Sequence, residues 1–303
     1  MFGIESAKHM IFVYLIFDYY IEKRVKQVYN EKEMICMTSE MLDKRMQENL
    51  QSISKLRLLD DDLMNLVFDK NIEATELLLN IILQRTDLKV LEVVAQREYK
   101  NSMACGRSIT IDIYAKDSDE KIYDVEVQRA DRGADFHRAR FHSSMMDTRM
   151  LKEKQEFKDI HDSYVIFITE NDVIGAGLSL YHIDRMIKET GEDFADGSHV
   201  IYVNGSYKND SDPIGKLMHD FRCTNPDDMF YSLLAEQVKY FKETEGGRKD
   251  MCKAVEELAE KRVLEKQKEL AMGMIEEGEL SIEKIAKYVG LSVEEVGQLA
   301  ESK

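Results

Sequence analysis

The sequence predicts an α/β chain in which a mixed sheet is flanked by helices and followed by a helical C-terminal extension. Three observations point there. Short β-rich runs are confined to the middle of the chain, helical periodicity precedes and separates them, and only helical patterns follow Pro213. With 303 residues and 44% apolar content, the chain can bury one sizeable core plus smaller helical attachments. Charged residues make up 33% and the prolines are Pro213 and Pro226, a composition that suits long helices with polar outer faces.

Residues 1–45 read as an N-terminal extension, aromatic-rich and then methionine-rich, with Met34, Met37 and Met41 as alternative starts. Residues 46–245 are expected to form the core. From Leu58 to Leu83 the apolar positions Leu59, Leu63, Leu66, Val67, Leu77, Leu78 and Ile81 recur at helical spacing, and Asp60, Asp61 and Asp62 suit a helix start. Five β-rich runs follow: Lys89–Val94, Ser108–Ala115, Lys121–Arg129, Tyr164–Thr169 and His199–Val203. The polar KDSDE segment, Lys116–Glu120, makes Ser108–Arg129 a β-hairpin candidate. Helices are expected over Asp135–Phe157 and Leu180–Glu189, so the order of elements implies a mixed sheet covered by helices.

Residues 246–303 form the expected helical tail, with a long charged helix from Lys249 to Glu277 and then SIEKIAKYVGLSVEEVGQLA, Ser281–Ala300. Gly290 marks a turn between two short helices, and Ser292 with Glu295 three residues on is a capping box. The pattern is helix-turn-helix, yet Glu294 and Glu295 open its second helix and no arginine follows. That favours a packing or partner-binding unit over a base reader. The tail is where a homo-oligomer contact is expected, to be lost on truncation after Gly246.

Composition excludes several classes. Cys36, Cys105, Cys223 and Cys252 lie far apart without a CxxC pair, so neither a zinc ribbon nor a disulfide framework is indicated, and reduced thiols of a cytoplasmic protein are expected. The apolar run Met10–Tyr20 is broken by Asp18 and is too short to cross a bilayer, so no membrane partner is expected. A formal net charge of −16 argues against passive, charge-driven DNA binding, because phosphate affinity comes from lysine and arginine replacing counterions. Any DNA contact must be local or metal-assisted.

Chemistry concentrates in the hairpin. Asp112 sits in SITIDIYA, and Glu126 sits in IYDVEVQR with Gln128 two residues on, so Glu126 and Gln128 share one strand face. A turn centred near Ser118 pairs Asp112 with Asp124 and leaves Glu126 diagonal to Asp112 on that face, roughly 7–8 Å away. Both carboxylates interrupt apolar β runs, where an ionised group needs compensation. A hard dication, Mg²⁺ or Mn²⁺, would supply it. A strand that merely shows its polar side to water is the competing reading for each acid taken alone. Histidines 137, 142, 161 and 182 have no HxH or HExxH spacing, so no zinc motif is present, and Glu73 and Glu76 read as helix surface.

The run from ITIDIYAKDSDEKIYDVEVQRA through HRARFHSSMMDTRML to SYVIFIT resembles the Rpn family of PD-(D/E)XK nuclease transposases in order and spacing, and LLDDDLMNLVFDK resembles that family's opening. The resemblance implies a PD-(D/E)XK restriction-endonuclease-like core and a magnesium-dependent deoxyribonuclease linked to recombination or mobile elements. Asp112 and Glu126 then map onto the metal-binding acidic pair, and the Val127 carbonyl completes the shell. Gln128 stands where the wider superfamily carries lysine, and it is expected to position a water through hydrogen bonds rather than charge. Arg129, Arg132, Arg138, Arg140 and Arg149 form the densest arginine cluster. Arg138, Arg140 and Arg129 are the expected phosphate ligands, with Arg138 and His142 on one helix face at i and i+4. The alternative is a weak or inactive DNA- or protein-binding module on the same scaffold.

Overall fold

The structure is a computed structural model that describes residues 50–101, 106–129 and 131–301; the expected extension over 1–45 lies outside them. The described residues divide into two compact units, one comprising 54–252 and the other including 253–301.

In the larger unit the helices α1 (Asp61–Phe68) and α2 (Ile72–Ile82) precede strands β1 (Val90–Tyr99), β2 (Ile109–Asp117) and β3 (Ile122–Gln128). Helix α3 (Phe136–Met150) leads to β4 (Ser163–Thr169), β5 (Leu180–Ile183) and β6 (Ser198–Asn204), and then come α4 (Pro213–Arg222) and α5 (Ser232–Glu243). The six strands form one mixed sheet ordered β1-β2-β3-β4-β6-β5. The β1, β2 and β3 pairings are antiparallel, β3-β4 and β4-β6 are parallel, and β5 runs antiparallel to β6. Helix α3 covers one face: Ala139, Met145 and Met146 are buried with Tyr114, Val165, Phe167 and Tyr202. Helices α1 and α2 pack on β1, α4 packs on α2, and Phe68 at the end of α1 lies 6.2 Å from Phe221 of α4 between ring centroids.

Two expectations need correction. Leu180–Glu189 is not a helix: Leu180–Ile183 pairs with β6 and an isolated bridge joins Met186 to Asp193. A four-residue edge strand is too short to show period-two alternation, and backbone pairing, invisible in composition, decides it. Helix α3 also stops at Met150, with Leu151 already extended, rather than at Phe157.

The hairpin is offset from its expected register. The pairs are Lys116 with Ile122, Tyr114 with Asp124 and Ile113 with Val125, and the Asp117 N–H donates to the Lys121 carbonyl at 3.1 Å. The loop is therefore Ser118–Glu120, with Glu120 left-handed at φ 66°, a three-residue turn rather than one centred at Ser118. Continuing the register sets Asp112 opposite Glu126, not Asp124. The slip spans two positions, so the face is unchanged.

Asp117 organises this turn. Its buried carboxylate accepts from the Asp119 and Lys121 N–H groups, both at 2.9 Å, and from the Tyr123 hydroxyl at 2.7 Å. Asp117→Ala would strand the buried Tyr123 hydroxyl, and a loss of about 2–4 kcal/mol is expected in denaturant unfolding. Tyr123→Phe, which removes only one bond, should cost clearly less.

The end unit contains the continuation of the long helix α6 (Glu245–Glu277), then α7 (Ile282–Val289) and α8 (Val293–Glu301). Ala271, Ile285, Ala286, Val289 and Val296 form its core. Gly290 ends α7 in the left-handed conformation at φ 78°. Ser292 and Glu295 cap α8 reciprocally: the Glu295 N–H donates to Ser292 Oγ at 3.1 Å and the Ser292 N–H to Glu295 Oε2 at 2.8 Å.

Candidate functional site

The ladder between β2 and β3 is continuous only as far as Ile113 and Val125. Beyond it, side chains take over the backbone groups. The Asp112 N–H donates to Glu126 Oε1 at 3.2 Å, and the Val127 N–H donates to Asp112 Oδ2 at 3.0 Å. The two acids are thereby brought together where the strands part. On the other side β1 is distorted at Gln96, whose φ is 52°. Gln96 Nε2 donates to Asp112 Oδ1 at 3.0 Å and to Asn65 Oδ1 at 3.2 Å, which ties the acid to α1. Sequence reading gave no sign of Gln96, because its contact depends on backbone distortion in β1.

Glu126 is fully buried, as is Asp124 two residues earlier on the same face of β3. Both oxygens of Glu126 are engaged: Oε2 receives Gln128 Nε2 at 3.3 Å and an ion pair from Arg138 Nη2. Helix α3 starts at Asp135, whose side chain accepts from the His137 N–H at 2.8 Å, which sets Arg138 in the first turn. Arg138 also donates from Nη1 to the Gly133 carbonyl at 3.2 Å and from Nε to His142 Nε2 at 3.3 Å. His142 in turn lies 2.7 Å from Asp124 Oδ2 through Nδ1. The neutral tautomer protonated at Nδ1 satisfies both contacts. The result is a circuit of contacts that runs Asp124, His142, Arg138, Glu126.

Crowding of buried anions dominates the electrostatics. Burial first, and then the charges of its neighbours, pushes the Asp124 carboxyl up to about 8. Asp112 rises to about 6 through burial, opposed by the Val127 and Gln96 hydrogen bonds. Glu126 is raised well above the usual carboxylate range by burial and by Asp112 and Asp124, while burial lowers His142. Three carboxylates sharing one low-dielectric site create a demand for positive charge that Arg138 meets only in part. Asp124 Oδ1 is buried and has no hydrogen-bond partner, a donor atom suited to a cation. Asp124, Glu126 and His142 each offer a ligand atom, all within 4.8 Å of one another. The residues present fit a divalent ion.

The other expected residues are placed as follows. Val127 pairs with Ile168 on β4, its side chain buried. Gln128 lies against Gly133, where a Cβ would come within 1.9 Å of Gln128 Oε1. Arg129 is held by Asp60 at 2.6 Å and Glu170 at 3.5 Å, and Arg57, paired with Glu170 at 2.8 Å, joins the same network. Arg140 is exposed, two positions from Arg138 and hence on another face of α3. Arg149 donates to the Lys100 carbonyl, and the Arg132 side chain lies outside the described residues. Asp124 and His142 were missed as site residues, although the i+4 relation of Arg138 to His142 and the i−2 relation of Asp124 to Glu126 are both visible in the sequence.

Residues 65–209 match the family model described as PD-(D/E)XK nuclease family transposase. This segment belongs to that family. The PD-(D/E)XK segment runs from within α1 to just beyond β6, so it contains the whole sheet, α3 and every residue of the circuit. Membership establishes a nuclease-like, transposase-related character, and PD-(D/E)XK nucleases typically use divalent metals. No curated protein and no solved structure matches the chain. Among the described residues, no helix is long and apolar enough to cross a membrane.

Proposed function

We propose that the chain is a divalent-metal-dependent DNA endonuclease that hydrolyses phosphodiester bonds, acting in recombination or the movement of mobile elements. The observation that carries this reading is the meeting of the half-buried Asp112 with the buried Glu126 where β2 and β3 part within a PD-(D/E)XK segment. Asp112, Glu126 and the Val127 carbonyl would hold Mg²⁺, with Mn²⁺ as an accepted substitute. When bound, the ion supplies Lewis-acid polarisation of the phosphodiester and lowers the pKa of a water.

The chain's own residues do the rest. Gln128, already aimed at Glu126 and pressed by Gly133, orients the water through its amide. Arg138 passes from Glu126 to a substrate phosphate, and Arg140 and Arg129 grip the backbone on either side. In a chain of net charge −16, DNA affinity is local to this cluster and steeply salt-dependent. A cytoplasmic setting and a homo-oligomer contact through the C-terminal helices belong to the same reading.

Two features favour a second reading. With glutamine in place of lysine and Arg138 neutralising Glu126, the scaffold would also suit a DNA- or protein-binding module without turnover. Incubating the purified protein with plasmid and Mg²⁺ or Mn²⁺, beside Asp112→Ala and Glu126→Ala, separates the two: cleavage that both substitutions abolish supports the nuclease, and equal results from all three proteins exclude it. A finer test is Gly133→Ala, which displaces the flexible end of Gln128 and not the backbone. Loss of one hydrogen bond worth about 1 kcal/mol predicts roughly fivefold slower cleavage with thermal stability nearly unchanged.

A further inference from the structure

We propose that Asp124, Glu126 and His142 form a transition-metal site, one that takes a first-row transition dication in preference to Mg²⁺. The inference deepens the nuclease reading and rests on it only in sharing Glu126, which would serve both this ion and the one held by Asp112.

Geometry carries it. His142 Nδ1 stands 2.7 Å from Asp124 Oδ2 and 3.8 Å from Glu126 Oε1, and all three ligand atoms lie within 4.8 Å of one another. Around an ion with bonds of roughly 2.0–2.2 Å, neighbouring ligand atoms sit about 3–4 Å apart, so small side-chain adjustments suffice. The three side chains are buried on β3 and α3, elements whose packing fixes them before any ion arrives, and the His142 ring lies 6.3 Å from that of Phe167. Asp124 Oδ1, buried and unpartnered, is the independent sign that this cluster lacks a partner. Two carboxylates alone would suit magnesium, calcium or manganese. An imidazole nitrogen in the set shifts the preference toward transition metals.

The same geometry couples the ion to Arg138. An ion on His142 Nδ1 moves the ring proton to Nε2, and Nε2 then no longer accepts from Arg138 Nε. The ion also competes with Arg138 Nη2 for Glu126. Loading the site thus removes the His142 contact of Arg138 and weakens its pairing with Glu126 Oε2, leaving the bond to the Gly133 carbonyl, and loosens a guanidinium for phosphate as the metal arrives.

The test is titration of the full chain with Co²⁺, read by visible absorption, which reports the coordination geometry and donor set of the bound ion. The expected result is saturable binding in wild type that Mg²⁺ at equal concentration does not displace. Affinity falls at least tenfold in His142→Gln and in Asp124→Asn, with circular dichroism confirming that both are folded, and rises severalfold in Arg138→Gln, where the competing cation is gone. Asp112→Ala retains the spectrum. Unchanged Co²⁺ affinity in both His142→Gln and Asp124→Asn overturns the inference, as does displacement by equimolar Mg²⁺, and either leaves the nuclease reading standing if Asp112→Ala abolishes Mg²⁺ binding. Failure of wild type to bind any dication overturns both.

Discussion

Glu126→Gln is expected to slow metal-dependent plasmid cleavage by about 10³-fold or more while leaving the chain folded. The substitution keeps shape and removes one charge at the side chain on which the site converges: Asp112 N–H, Gln128, Arg138 and His142 all lie against it. An ion held partly by this carboxylate contributes several kcal/mol of transition-state stabilisation. Each 1.36 kcal/mol is a factor of ten, so losing about 4 kcal/mol gives the stated effect. The readout is the rate of conversion of supercoiled plasmid to nicked and linear forms in Mg²⁺ and in Mn²⁺. A variant that cuts at the wild-type rate would remove Glu126 from the site.

Asp124→Asn is expected to stabilise the metal-free protein increasingly from about pH 4 to about pH 8 and to leave it unchanged below about pH 4. The folded-state carboxyl titrates near 8, above the ordinary value of about 3.9. A carboxyl raised on folding contributes stability that is fully present below its unfolded value and is lost as pH rises through its folded one. Destabilisation should therefore build up between about pH 4, where the unfolded carboxyl ionises, and about pH 8, where the folded one ionises beside Asp112 and Glu126, and level off above that. Asparagine cannot ionise, and its amide nitrogen takes the place of Oδ1, which has no donor to lose. Above about pH 8 the gain levels off at several kcal/mol, about 1.4 kcal/mol for each unit between the two values, with a rise in thermal midpoint of roughly 2–4 °C per kcal/mol for a domain of this size. The net charge of −16 also lowers stability as pH rises, so the quantity to measure is the difference between variant and wild type across the pH range. A constant difference would contradict the assignment of the raised carboxyl to Asp124.

Much of the fold was legible because the central strands carry their own signal. Ile109, Ile111 and Ile113 alternate with polar residues on β2, and the β4 core run SYVIFIT is almost wholly apolar, as suits a strand with neighbours on both sides. The capping box at Ser292 and Glu295 was readable for the same reason: both partners lie within one helical turn. What escaped was non-local. The loop Ser118–Glu120 holds no glycine to mark its left-handed position, so the hairpin centre was displaced by one residue and Asp112 was paired with Asp124 instead of Glu126. The edge strand β5 exists only through its pairing with β6. His142 and Asp124 meet because α3 is rotated so that Ala139 and Met146 pack on the sheet beside Phe167, and periodicity shows which residues share a helix face without showing what that face will touch.

Asp112 and Glu126 are proposed to hold one ion between them. Calorimetric titration of Mg²⁺ into wild type, Asp112→Ala and Glu126→Ala tests it without reference to DNA. Binding by wild type that disappears in both variants is the predicted result; Mg²⁺ heats that survive unchanged in Asp112→Ala would contradict it.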